Sequence, residues 1–364
     1  MNPLVLLQLF AGLALLIVGA EVLIKSSVKL GKAVGLSSLV IGMTVVAFGT
    51  SAPEIAVSIQ ATLGGQPDVA LGNIVGSNIF NVLFILGASS IIRVMSVKAR
   101  LIWVDTLVMI GVAVLFYLFC MDRRLNALEG IALLSGLIIY TIFTIQMSRK
   151  ESRAIQKEYG EGMSNGSAVH KGSGFLILQI FAVLAGLGIL VMGSRWFVDA
   201  SILIAKSMGV SDLVISLTIV AAGTSLPEVA TSVIAAIKGE KDIAVGNVVG
   251  SNIFNILGIG GLCGILSGHG VSVAPSLLQF DIPVMIAVSL ACLPIFFSGH
   301  RINRAEGVIF LGYYILYTAY LLLKSSEHDA LPLLSATLGY FVIPLTGITL
   351  IFIALQQVRR GRSA

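Results

Sequence analysis

Residues 42–87, GMTVVAFGTSAPEIAVSIQATLGGQPDVALGNIVGSNIFNVLFILG, return as residues 216–261, SLTIVAAGTSLPEVATSVIAAIKGEKDIAVGNVVGSNIFNILGIGG. The register holds without a gap: Glu54 matches Glu228, Asp68 matches Asp242, Asn73 matches Asn247 and Asn81 matches Asn255, each pair 174 positions apart. Both copies lie in apolar sequence. A carboxylate at the centre of a bilayer costs at least about 2.5–3.5 kcal/mol on insertion scales, so an intramembrane Glu is expected to be functional. Two Glu in matched surroundings strengthen that expectation.

Apolar residues make up 57% of the 364 and charged residues 11%, with a mean hydropathy of +1.00. A water-soluble globule carries more charge than this, so the chain is expected to be an all-α integral membrane protein lying in the lipid bilayer. Its 39 glycines suit close helix approach in lipid. The net charge of +5 comes from basic residues scattered among short loops, without a basic stripe interleaved with aromatics, which argues against a nucleic-acid partner. Cys120, Cys263 and Cys292 are isolated and odd in number, which suits packing rather than a disulfide framework or a CxxC metal site. His170, His269, His300 and His328 fall in loops without paired ligand spacing. No cofactor is implied.

Eleven apolar stretches are long enough to cross about 30 Å of hydrocarbon: residues 4–24, 37–62, 69–92, 101–120, 126–147, 175–197, 211–237, 243–266, 277–298, 305–323 and 333–356. The first lacks a basic region ahead of it and reads as a retained span, not a cleaved signal. The last is interrupted by Pro332 and Pro344. With the N-terminus outside, alternating loops divide the 23 basic residues 18 to 5 in favour of the cytoplasm, placing the C-terminus there too. The hydrophilic stretch 148–174 reads as a flexible cytoplasmic connector between repeats at 1–147 and 175–325, with an extra span and basic tail at 326–364. Matching extends beyond the core motif. Gly19 and Gly35 pair with Gly193 and Gly209 at 174, while Arg124-Leu125-Asn126 and Glu129-Gly130 pair with Arg301-Ile302-Asn303 and Glu306-Gly307 at 177. Each half therefore holds five spans. Because five is odd, the second copy starts from the opposite face, and the repeats have inverted topology about an axis in the membrane plane. Inverted repeats with interrupted helices point to a midplane site and alternating access, hence to a transporter and not an enzyme.

On a helix Thr50, Ser51 and Glu54 share one face. Pro53 lacks an N–H and its ring clashes with the carbonyl of Gly49, so carbonyls one turn back are expected to leave the helical ladder. Carbonyls, hydroxyls and a carboxylate make an oxygen-only environment suited to hard cations such as Ca2+ and Na+. Thr224, Ser225, Pro227 and Glu228 repeat the arrangement. In the next span Ser77 and Asn81 lie four apart, with Gly72 and Gly76 expected to admit a neighbouring helix, and Ser251 and Asn255 repeat the pair. Convergence of these groups would form a polar cage of net charge −2. The segment Ser51-Ala52-Pro53-Glu54 also fits a capping box. Its doubled occurrence at membrane depth makes that an insufficient explanation. Asp68 and Asp242 suit helix starts facing water, Asp105 and Asp281 suit interfacial or structural roles, and Glu129 and Glu306 suit helix N-termini.

The paired GTS-x-PE and GN-x-x-GSN-x-x-N segments resemble the two alpha repeats of the cation/Ca2+ exchanger superfamily, particularly its prokaryotic Na+/Ca2+ exchangers, over about the first 325 residues. The resemblance implies a ten-helix core with an ion cage on the second, third, seventh and eighth helices. By motif position its ligands would be Thr50, Ser51, Glu54, Ser77 and Asn81 with Thr224, Ser225, Glu228, Ser251 and Asn255, together with the carbonyls of Ala47 and Ala221. Some members, including the potassium-dependent branch, place Asp where this chain has Asn255, which disfavours K+ coupling here. The eleventh segment lies outside the family pattern. The expected function is antiport of Na+ against Ca2+ at one shared cage, with a third Na+ making exchange electrogenic. The nearest alternative is a cation/proton antiporter in which the same two Glu carry the proton.

Overall fold

In hydrocarbon each backbone N–H and C=O must be paired within its own segment, so long apolar runs become helices. The computed structural model describes residues 3–158, 173–210, 212–215, 218–219, 221–297, 299–326, 328, 330–342 and 347. The helices are α1 (Pro3–Val34), α2 (Ser38–Thr50), α3 (Ala52–Leu63), α4 (Pro67–Ile92), α5 (Leu101–Phe119), α6 (Ala127–Glu158) and α7 (Ser173–Ser207). They continue with α8 (Asp212–Ile215), α9 (Ala221–Gly223), α10 (Leu226–Lys238), α11 (Lys241–Leu266), α12 (Leu277–Phe297), α13 (Arg304–Ser325) and α14 (Leu331–Thr337). Among the described residues, eight are long and apolar enough to cross a membrane singly, and α2 with α3 makes a ninth across a 46° bend. Segments α8 to α10 occupy the matching stretch of the second repeat.

Two expectations need adjustment. Residues 148–158 continue α6 as helix where a flexible connector was expected, because Lys-Glu-Ser-Arg-Ala-Ile-Gln-Lys-Glu is rich in good helix formers. Glu151 also reaches Arg100 Nη1 at 3.5 Å. The remainder of that connector, 159–172, lies outside the described residues, as do most of the eleventh span and the basic tail. The second adjustment concerns Gly72 and Gly76, where no described heavy atom comes within 4 Å of an added Cβ. Their repeat partners behave as expected: a Cβ at Gly246 would meet the carbonyl oxygen of Leu39 at 2.8 Å, and one at Gly250 would meet Met43 Cα at 2.5 Å.

Glycine sets how the repeats interlock. A Cβ at Gly12 would stand 2.6 Å from Phe197 N, at Gly19 2.7 Å from Leu190 N, at Gly186 2.8 Å from Leu23 N and at Gly193 2.7 Å from Leu16 N. Helices α1 and α7 therefore cross at backbone distance through two glycine pairs that the repeat itself relates. Further on, α4 meets α13 where a Cβ on Gly87 would lie 3.1 Å from the Gly307 carbonyl. Correspondingly, α11 meets α6, where a Cβ on Gly261 would lie 2.9 Å from the Gly130 carbonyl. Each repeat thus packs its third span on the last helix of the other.

Short antiparallel ladders make the same exchange outside the spans. Strand β1 (Met95–Ser96) pairs with β4 (Arg301–Ile302), and β2 (Arg124–Leu125) pairs with β3 (Val271–Ser272). Their pairing puts the loops after α4 and α12 on one face, and those after α5 and α11 on the other. Asp105 accepts a bond from Tyr140 Oη at 2.9 Å and Asp281 one from Tyr317 Oη at 2.9 Å, tying α5 to α6 and α12 to α13. Glu129 and Glu306 bond the backbone N–H groups of Asn126 and Asn303, completing the expected helix starts. At the centre lie α4 and α11, 72% and 83% buried along their apolar windows against 22% for α1, α6 and α7. Polar groups on α4 and α11 are therefore shielded from the surroundings.

Candidate functional site

The first span of the doubled motif breaks at its serine. Ser51 sits at φ −77°, ψ 7° between α2 and α3, and Ser225 at φ −89°, ψ 7° before α10. Neither caps its own helix. Ser51 Oγ donates to Glu228 Oε1 at 3.0 Å, and Ser225 Oγ donates to Glu54 Oε1 at 2.7 Å. The capping-box reading fails on this point, since each serine serves the carboxylate of the other repeat. Thr50 and Thr224 stand in the same crossed sense, beside Glu228 and Glu54 respectively. Glu54 and Glu228 stand in the first turns of α3 and α10, where unpaired backbone N–H groups and the helix dipole favour negative charge. Both carboxylates are 1% exposed. The two broken helices therefore meet at their N-terminal ends, with two acidic groups enclosed between them.

Helices α4 and α11 close this space from the other sides. Ser77 Oγ lies 3.3 Å from Ser225 Oγ. Both helices turn π-helical at the motif asparagines, over Asn81–Leu86 and Asn255–Gly260, a local widening frequent at functional sites. Buried polar atoms normally have partners, and exceptions need an explanation. Among the described residues, twelve buried side-chain atoms lack a hydrogen-bond partner: seven, on Ser27, Ser89, Arg100, Asp105, Thr144 and Thr231, lie outside the predicted ligand set, and the other five are Glu54 Oε2, Glu228 Oε2, Asn81 Oδ1, Asn255 Oδ1 and Ser251 Oγ. These five oxygens all belong to the doubled motif. The donor set is all oxygen and carries two negative charges when both carboxyls are ionised.

The remaining predicted ligands divide. Thr50 Oγ1 also lies 3.3 Å from Asn247 Oδ1 and 3.4 Å from the Ala47 carbonyl, and Thr224 Oγ1 lies 3.4 Å from Asn73 Oδ1. The Ala47 carbonyl stays in the helical ladder, accepting the N–H of Ser51 at 3.1 Å, because the break falls after it. The backbone of Ala221 opens α9. Pro227 removes the N–H that would have paired with Gly223, and Ser194 Oγ on α7 donates to that carbonyl instead, at 2.8 Å. Residues not predicted as site members brace it. Asn73 Nδ2 donates to Ser58 Oγ at 2.9 Å and to the Glu54 carbonyl at 3.2 Å, and Asn247 Nδ2 donates to Ser232 Oγ at 3.0 Å. Asn73 was findable, since its spacing of four places it on the helical face of Ser77 and Asn81.

Known proteins resemble this chain along most of its length. The family described as sodium/calcium exchanger protein matches residues 4–146 and 178–323. The sodium/calcium exchanger MaX1 of Methanosarcina acetivorans is 36% identical over 339 residues, covering 85% of this chain and 96% of that protein. The inner membrane protein YrbG of Escherichia coli is 32% identical over 321 residues, covering 86% and 95%. A solved structure of the sodium-calcium exchanger NCX_Mj superposes with a TM-score of 0.74 at 30% identity, covering 88% of this chain and 100% of that one. On the strength of a family match that spans nearly all of both repeats, this chain belongs to the sodium/calcium exchanger family of membrane antiporters.

Proposed function

We propose that the protein exchanges Na+ for Ca2+ across the inner membrane of the cell, by alternating access at the cage formed by the two halves of the doubled motif. The observation that carries this reading is the set of five buried, unpartnered oxygens on Glu54, Glu228, Asn81, Asn255 and Ser251. Ca2+ takes six to eight oxygen ligands, a requirement that these atoms and the neighbouring hydroxyls of Ser51, Ser77, Thr50, Thr224 and Ser225 suit in kind. The carbonyls of Ala47 and Ala221 are the remaining donors assigned to it.

Antiport follows from charge. One Ca2+ or two Na+ neutralise the two carboxylates equally, so the two ions compete for one site. Without either, buried carboxylates facing one another are strongly unfavourable, and the closed intermediate between the two access states is disfavoured. Occupancy therefore gates the transition, and one ion leaves only when the other replaces it. The hydrogen bonds from Ser51 to Glu228 and from Ser225 to Glu54 join the repeats directly, so binding at the carboxylates acts on both halves at once.

The test is 45Ca2+ uptake into proteoliposomes holding the purified protein, with imposed Na+, K+ or pH gradients. An outward Na+ gradient is expected to drive uptake at constant pH, without a requirement for K+. Uptake driven by a pH gradient in the complete absence of Na+ would overturn Na+ coupling and assign the exchange to protons carried on Glu54 and Glu228.

A further inference from the structure

Asn78 and Asn252 are matched at 174, fully buried, and outside the predicted ligand set. Asn78 Nδ2 lies 3.3 Å from the backbone carbonyl of Asn252 and 3.5 Å from Met285 Sδ. Asn252 Nδ2 lies 3.3 Å from the backbone carbonyl of Asn78 and 3.6 Å from Met109 Sδ. A carbonyl and a thioether only accept hydrogen bonds. Each carboxamide is therefore pinned with its NH2 toward its partner's backbone, and its oxygen must face the other way. There, Asn255 Nδ2 donates to Asn78 Oδ1 at 3.1 Å and Asn81 Nδ2 donates to Asn252 Oδ1 at 3.0 Å. An amide oxygen accepts but cannot donate, so Asn255 and Asn81 are obliged to present NH2 to it. Their own oxygens then point away, and those are the two asparagine oxygens left unpartnered at the cage.

We infer that Asn78 and Asn252 are positioning residues that fix the carboxamide orientation of Asn255 and Asn81, so that both present oxygen rather than NH2 to the cation. The inference rests on the cage proposed above. An Asn differs from an Asp in that only one of its two terminal atoms can ligate a cation. A site using Asn at both matched positions needs a device that selects that atom, and two backbone carbonyls supply it. The orientation is set by acceptors that cannot rotate or exchange roles. Met109 and Met285, matched at 176, take the remaining amide hydrogens and complete the arrangement.

The experiment measures 45Ca2+ affinity on the full chain in detergent for Asn78→Ala, Asn255→Asp and the two combined. Aspartate presents oxygen in either orientation and has no N–H for Asn78 to hold. Asn78→Ala is expected to weaken Ca2+ binding about 10–100-fold in the otherwise unaltered protein, the usual cost of losing a group that orients a metal ligand. In the Asn255→Asp background the same substitution is expected to change affinity by no more than about twofold. Asn252→Ala, tested with and without Asn81→Asp, should repeat the pattern. An equal loss in both backgrounds would mark a role in folding and overturn the inference, as would an unaltered affinity in Asn78→Ala. Na+-driven uptake by the unsubstituted protein is measured separately. Its absence would undo the exchange reading, while the binding comparison still decides the amide network.

Discussion

Ser51 and Ser225 occupy positions suited to helix caps, yet each donates to the carboxylate of the opposite repeat. A buried hydrogen bond to a charged group contributes about 1.5–3 kcal/mol. Ser51→Ala and Ser225→Ala should each therefore raise the Ca2+ concentration for half-maximal exchange by roughly 10-fold or more, measured as 45Ca2+ flux. Tyr140→Phe offers the contrast, because it removes a bond to Asp105, which lies outside the predicted ligand set. It should lower thermal stability by about 1–3 kcal/mol and leave the half-maximal Ca2+ concentration unaltered. At this scale the sequence reveals which side chains carry oxygen and where the charge lies. It does not reveal where each hydroxyl points, since Ser51 satisfies a local cap and a distant carboxylate equally well until the second repeat is in place. Asn78 was hidden for a similar reason: its partner is a backbone carbonyl, which every residue possesses.

Helices in lipid gain little from apolar contact alone and depend on close approach at small residues. Gly250 lies against the backbone of α2, and a Cβ there would stand 2.5 Å from Met43 Cα. Gly250→Ala should accordingly cost about 1–3 kcal/mol by overpacking, or reduce the yield of folded protein, as measured by thermal unfolding in detergent. Gly111→Ala on α5 meets no described atom within 4 Å and should be neutral or slightly stabilising. The bend between α2 and α3 was legible in Pro53, and the start of α4 in Pro67-Asp68. The π-helical turns at Asn81 and Asn255 were not, because a one-residue widening leaves the apolar pattern almost unchanged. The length of α6 was misjudged from its charge, which says where a helix leaves the membrane and not where it ends.

For the whole molecule, inversion of topology followed from counting five spans per repeat, and the 174-residue offset relates the two contacts Gly12–Gly193 and Gly19–Gly186 to each other. The two-residue ladders lacked any periodic signal, yet they sort the loops by face: 95–96 lies with 301–302, and 124–125 with 271–272. Lys98 joins the first of these faces through its 2.6 Å ion pair with Asp242. The excess of basic residues predicts that this face is cytoplasmic. With Cys120, Cys263 and Cys292 buried, an impermeant maleimide applied to intact cells should label Arg123→Cys and His269→Cys but spare Lys98→Cys and Lys238→Cys. The reverse pattern would invert the assigned orientation. The central claim is that Glu54 and Glu228, one from each inverted repeat, hold a single cation between them. Its most direct test is the stoichiometry of 45Ca2+ binding to the purified protein and to Glu54→Gln and Glu228→Gln. Each substitution alone should abolish high-affinity binding of Ca2+ at the shared site, whereas a variant that keeps the site intact, or loses only half of the bound Ca2+, would contradict the account.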